Sequence, residues 1–240
     1  GGGGRGSTQT LPIEGQLLNP TMGTDGTIAV LRAPGGGTSP DLGDAPWYEL
    51  IVLEKRGGWK SRILPITASK GVGFRAPTLR IHEGRIYWLE PQWAADREPS
   101  NSVYVSVNME GEDYREHITF PGAVEAVPSP DFSRIAYKHD HQGMVTAFPQ
   151  WGDGIDIGSE SLPTYALTEI VGDWMNWTPD GLSITWSAGP VLHKFKLDGT
   201  GIPSADNDPE EDVEDPRYSE RPIDVQLPRA IPTGQIALTH

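Results

Sequence analysis

Polar and apolar side chains alternate with a period of two along Arg134-Ile135-Ala136-Tyr137, which is the periodicity of a strand and not of a helix. Comparable apolar runs are Glu49-Leu50-Ile51-Val52-Leu53, Ser102 to Val107, Met144 to Phe148 and Val191 to Phe195. Turn signals separate them: Asp25-Gly26, Glu83-Gly84, Asp131-Phe132-Ser133 and Asp180-Gly181. In such turns Asp bonds its own backbone and Gly tolerates a positive φ. Two further hairpins are predicted at Arg56 to Trp59, before Ser61 to Leu64, and at Met109 to Glu112, before Tyr114 to Thr119.

Sliding the chain over itself turns this pattern into a repeat. Val127 to Tyr137 aligns with Asn176 to Trp186, with Pro130 and Pro179 standing 49 residues apart. Ile86, Ile135 and Ile184 then share one register, as do Trp88, Tyr137 and Trp186. A fourth copy is Thr24 to Val30, whose Ile28 lies 58 residues before Ile86; the loop at residues 33–46 accounts for the extra length. Strands and hairpins recurring every ~40–50 residues are the signature of a propeller blade. A β-sandwich also strings short strands together, but its strands do not recur as one motif in register. The expected fold class is therefore all-β: a β-propeller of about four four-stranded blades, as part of a larger ring, followed by a linker and the start of a further β domain.

The expected boundaries are a disordered or vector-derived start at 1–14, blades over 15–198, an acidic Pro-rich linker at 199–222, and junction strands at 223–240. The linker segment lacks any hydrophobic period. After it, Ile223 to Leu227 alternates like a strand and Gln235 to Thr239 opens another. The 29 Gly, 22 Pro and 8 Trp fit many turns and short strands. With no Cys, disulfides and thiolate chemistry are excluded. The formal charge of −14 argues against a nucleic-acid partner, which needs a basic face. A polybasic membrane patch and an apolar run of about 20 residues are both absent from the sequence.

Two longer stretches then carry a family likeness. Ser129-Pro130-Asp131 with Ile135-Ala136-Tyr137 resembles the blade signature of TolB-like, WD-repeat-like propellers. Ala147-Phe148-Pro149, Ile155 to Gly158, Trp177 to Gly181 and Trp186 to Leu192 resemble the last blades of propeller–amidohydrolase fusion proteins, and Val225 to Thr239 resembles the junction into their enzyme domain. The resemblance implies a non-catalytic propeller segment that packs on or gates a metal-dependent hydrolase of C–N bonds. The divalent metal, such as zinc, would belong to the enzyme domain, so no cofactor is expected on this chain. The implied partner is an amidohydrolase domain of the same or a companion polypeptide, with self-association a further option and a periplasmic or secreted location. The alternative is a stand-alone TolB-like propeller that binds protein or peptide.

No catalytic, cofactor-binding or metal-binding residue is assigned. His139-Asp140-His141 has the His-x-His spacing of a metal pair, yet it falls in a hairpin turn with no second pair downstream. The acidic run Asp206, Asp208, Glu210, Glu211, Asp212, Glu214 and Asp215 lacks the Gly and terminal Glu of a calcium loop. Asn176-Trp177-Thr178 is formally a glycosylation acceptor but sits where a blade strand begins. No Ser/His/Asp set can be assembled by spacing, and the inner-strand residues read as mainly apolar, which leaves no paired carboxylates for a catalytic propeller. Trp88, Tyr137 and Trp186 are expected to pack between blades. Trp93, Trp151 and Trp174 lie in loops, as core residues or as parts of a recognition surface.

Overall fold

The computed structural model describes residues 13–33, 47–54, 60–67, 76–93, 99–139, 141–150, 153–157, 162, 164–168, 172–197 and 217–223. They form a four-blade β-propeller. Blade one is β1 (Leu17–Met22), β2 (Ile28–Arg32), β3 (Trp47–Glu54) and β4 (Lys60–Thr67). Blade two is β5 (Arg80–His82), β6 (Arg85–Trp93), β7 (Pro99–Asn108) and β8 (Arg115–Pro121). Blade three takes β9 (Ala123–Pro128), β10 (Arg134–His139), β11 (Gln142–Ala147) and β13 (Thr164–Thr168). Blade four takes β14 (Asp173–Trp177), β15 (Ser183–Ala188), β16 (Val191–Lys196) and β17 (Tyr218–Pro222).

Each blade is an antiparallel meander, and the repeated motif lies in its second strand. Ile86 pairs with Val107, Ile135 with Thr146 and Ile184 with Phe195. The turn before that strand is built the same way in blades one, three and four. The Asp180 carboxylate accepts the Thr178 hydroxyl at 2.6 Å and the Leu182 N–H at 3.0 Å, while Gly181 sits at φ +69°. Asp131 accepts the Ser129 hydroxyl at 2.6 Å and the Ser133 N–H at 3.1 Å. Asp25 accepts the N–H and hydroxyl of Thr27 at 3.0 and 2.9 Å, beside Gly26 at φ +83°.

Packing between blades supplies the core. Along β6, Ile86 and Trp88 face blade one with Ala29, Leu31, Leu50 and Val52, while Tyr87 and Leu89 face blade three with Ile135 and Tyr137. Blades with two buried faces are apolar at successive positions, so alternation fades in their central strands. Trp88, Tyr137 and Trp186 are buried as expected, and each packs on the preceding blade. Blade three grips blade four through Trp177, whose Nε1–H donates to the Val127 carbonyl at 2.8 Å. Arg134 stacks over the same ring at 5.2 Å and donates to the Gly181 carbonyl at 2.9 Å.

Two features depart from the sequence reading. Tyr218–Pro222 is the outer strand of blade four, paired Tyr218 to Phe195 and Pro222 to Val191, although the pattern places it in the 199–222 linker. Its polar sequence carries no hydrophobic signal because the strand is exposed on both faces. Asp153–Asp156 forms a strand, β12, which leaves blade three and adds in parallel to β8 of blade two, Ile155 opposite Ile118. Ile13 packs with Leu17 and Ile28 on Val30, Ile51 and Leu53. Residues 1–12, most of the linker and residues 224–240 lie outside the described residues.

Candidate functional site

Residues on or just before the first strand of each blade line one cavity of about 340 Å³ near the axis. Leu18 and Asn19 come from β1, Ala76 to Thr78 from the segment entering β5, Val124 to Ala126 from β9, and Trp174 from β14; Tyr48 and Leu89 complete the wall. Three of these strands are broken at the cavity, β9 among them, where the pairing with β10 skips Val124 between Ala123 and Glu125. β1 shifts register between Leu18 and Thr21, with Asn19 at φ +46°. β14 shifts between Asp173 and Asn176, with Trp174 at φ +64°. A bulge re-aims a side chain that regular pleating would direct elsewhere, and a positive φ on a bulky residue is uncommon and costly.

The bulges of β1 and β14 differ in what they achieve. Asn19 Nδ2 donates to the carbonyls of Ala76 at 2.7 Å and Pro77 at 3.0 Å, tying β1 to the segment before β5. Trp174 is 70% exposed, and Val124 across the cavity is 47% exposed. An exposed indole on a constrained backbone, beside apolar wall residues, is the form of a recognition surface rather than of a core. Trp174 thus lies outside the core and, like Trp93, on a strand, β14 and β6 respectively, where the sequence reads loops; the side chain of Trp93 and residue Trp151 lie outside what is described.

Inner strands are more polar than the pattern suggests. Asn19, Arg80, His82, Glu125, Asp173 and Asn176 all lie on them. Arg80 crosses from blade two to blade four, donating to Asn176 Oδ1 at 3.3 Å and to its neighbour's carbonyl, that of Leu79, at 3.2 Å. His82 stacks on Phe132 with ring centroids 4.0 Å apart.

Sequence spacing gave no hint of a second polar constellation, which the meander assembles inside blade two. Arg85 Nε donates to Ser106 Oγ at 2.9 Å, and Ser106 Oγ lies 2.8 Å from His117 Nε2. The Ser106 hydroxyl oxygen accepts from Arg85 and also meets Nε2, where the direction of the bond follows the imidazole tautomer. Nδ1 makes no hydrogen bond of ordinary geometry among the described residues, and the Pro149 carbonyl acts on the imidazole only weakly. Burial drives the His117 pKa down to about 4, partly offset by the Pro149 carbonyl and lowered further by Arg85 and Arg115. Asp113 anchors the other end, bonded by Arg115 at 2.6 Å and Arg85 at 2.7 Å. Ser106 and His117 are fully buried, and among the described residues no carboxylate is bonded to the imidazole.

His139 ends β10 opposite Gln142 and His141 lies in the adjoining turn, in the hairpin that the sequence indicates. Among the described residues no three His, Asp or Glu side chains converge to hold a metal, and no step is derived through one. Asn176 lies on β14 with its Oδ1 engaged by Arg80, and the acidic run at 206–215 lies outside the described residues. No described helix is long and apolar enough to cross a membrane.

No family model and no curated protein matches the chain. One solved structure to which it is similar is a candidate 6-phosphogluconolactonase from Bacteroides uniformis ATCC 8492. The two share 8% identity over 75% of this chain and 67% of that chain, with a TM-score of 0.37. A likeness this distant carries no argument about function.

Proposed function

We propose that this chain is a non-catalytic binding module, the propeller segment of a metal-dependent amidohydrolase, and that it holds a peptide segment in the axial cavity. The observation that carries the binding half is Trp174: it is exposed, fixed by a bulge, and set on a cavity to which all four blades contribute. The buried state of the Ser106–His117 pair supports a non-catalytic role. The amidohydrolase half rests on the resemblance of Ala147 to Leu192 and the tail to fusion enzymes. An enzyme barrel with paired His in the natural reading frame beyond residue 240 would support it, and a stop codon there would refute it.

The binding half is tested by selecting phage-displayed peptides on the protein and measuring each against Trp174→Ala. Selected peptides are expected to lose about tenfold or more in affinity, as interface tryptophans do. Equal binding to both proteins, or an empty selection, would overturn the reading.

A further inference from the structure

We infer that blade two carries an acid-released strap: Phe148 to Gln150 and β12 close over His117 at neutral pH, and protonation of that imidazole frees them while the meander of β6, β7 and β8 stays folded. The device is independent of the binding role proposed for the axial cavity. It is built on a bulge. Where β7 pairs with β8, Tyr104 stands opposite Ile118 and Val105 opposite Glu116, so His117 is the extra residue. Its side chain turns inward to the same aromatic cluster as that of Ile118. The imidazole is fully buried, with Ser106 Oγ 2.8 Å from Nε2 and the Tyr87 ring 5.3 Å away. The strap supplies the rest of the cover: the Phe148 ring lies 5.4 Å from the imidazole, and the Pro149 carbonyl acts on it weakly.

A charged imidazole has no favourable place there. The charged and titratable groups around it are Arg85 and Tyr87 on β6, Tyr104 on β7, Arg115 and Glu116 beside it on β8, and Asp113 in the turn before; β12 carries Asp153 and Asp156. Arg85 and Arg115 oppose a positive charge, and Asp113 is engaged by both. Among the described residues no carboxylate is bonded to the imidazole. Protonated His117 therefore gains by reaching water, and the strap is its most weakly held cover. β6 pairs with β7 along its whole length, whereas β12 is a short parallel edge strand held at Asp153, Ile155 and Asp156. The approach to β12 is tied by the Phe148 N–H to the Ser133 carbonyl and by Gln150 Nε2 to the Phe132 carbonyl. Release bares the outer edge of β8, and a bare strand edge is a template for another strand.

With the His117 pKa at about 4 under the strap and 6.5 in water, the closed form is fully favoured above pH 6.5 and loses ground as pH falls toward 4. Those values predict that the opening equilibrium rises about a hundredfold from pH 7 to pH 4. Native-state hydrogen exchange of the whole chain tests this, with protection at each amide corrected for the intrinsic effect of pH. Protection in β12 is expected to fall about a hundredfold over that range, while the amides shared by β6 and β7 stay better protected at every pH. Two controls remove the charge: His117→Gln keeps a partner for Ser106, and His117→Phe keeps a ring among the aromatics. In either, protection of β12 should change by less than about threefold. A flat profile in the parent, equal protection in β12 and in β6–β7, or the same fall in a folded control would overturn the inference.

Discussion

Phe132 shows how a single residue can break the local rule of a repeat for the sake of packing. It occupies the turn position held by Gly26 in blade one and Gly181 in blade four, yet it adopts φ +54°. Left-handed backbone costs a residue with a Cβ about 1–2 kcal/mol. In return its ring is buried between blades two and three, stacked on His82 at 4.0 Å and tilted against Tyr87 at 4.9 Å. Losing a buried Phe ring costs about 3–5 kcal/mol, so packing outweighs strain. Phe132→Ala is expected to lower stability by about 3 kcal/mol in urea unfolding, and Phe132→Gly by less, because glycine relieves the φ penalty. Glycine being the more damaging of the two would show that the turn is not strained. Trp174 breaks the same rule at φ +64° but leaves its ring 70% exposed. That contrast separates an exception made for core packing from one whose side chain stays at the surface.

Among elements, blade two is the most heavily tied. It takes β12 from the blade three segment on its outer edge, and the Asp113–Arg85–Ser106–His117 chain runs through it. His117 makes this element acid-sensitive. Its pKa is about 4 in the fold against an ordinary 6.5, so between those values the unfolded chain binds a proton that the folded one does not. Stability is therefore full above pH 6.5 and falls as pH drops toward 4, by about 3 kcal/mol in all. Asp113, held low by Arg115 and Arg85, and Asp180, held low by Thr178 and the Leu182 N–H, lose stability in the same direction at lower pH. Unfolding midpoints measured from pH 7 to pH 4 should decline in the parent and decline less in His117→Gln, which keeps an acceptor for Ser106 but does not titrate in this range. Parallel declines in both proteins would remove His117 as the cause.

At the scale of the whole molecule, the blades were legible in the sequence because their turns and second strands use the same chemistry. Asp131 and Asp180 sit 49 residues apart and make the same bonds. Trp88, Tyr137 and Trp186 could be placed between blades from register alone. What the pattern could not convey was long-range. β12 crosses to another blade, β17 has no buried face, and Ser106 meets His117 only because β7 and β8 pair. The cavity was hidden for a further reason. Its residues come from all four blades, between one and four from each, and several lie where bulges break the alternation that a sequence reading follows. Trp174 could be singled out only as an aromatic outside the strand pattern.

The central claim is that ligand binding belongs to the inner strands at the axis. Hydrogen exchange of the protein with and without a peptide selected on it tests this most directly. The account predicts slowed exchange in β1 around Asn19, in β9 around Glu125 and in β14 around Trp174, with the outer strands β8 and β17 unchanged. Protection confined to the outer strands, or absent from all three inner ones, would contradict it.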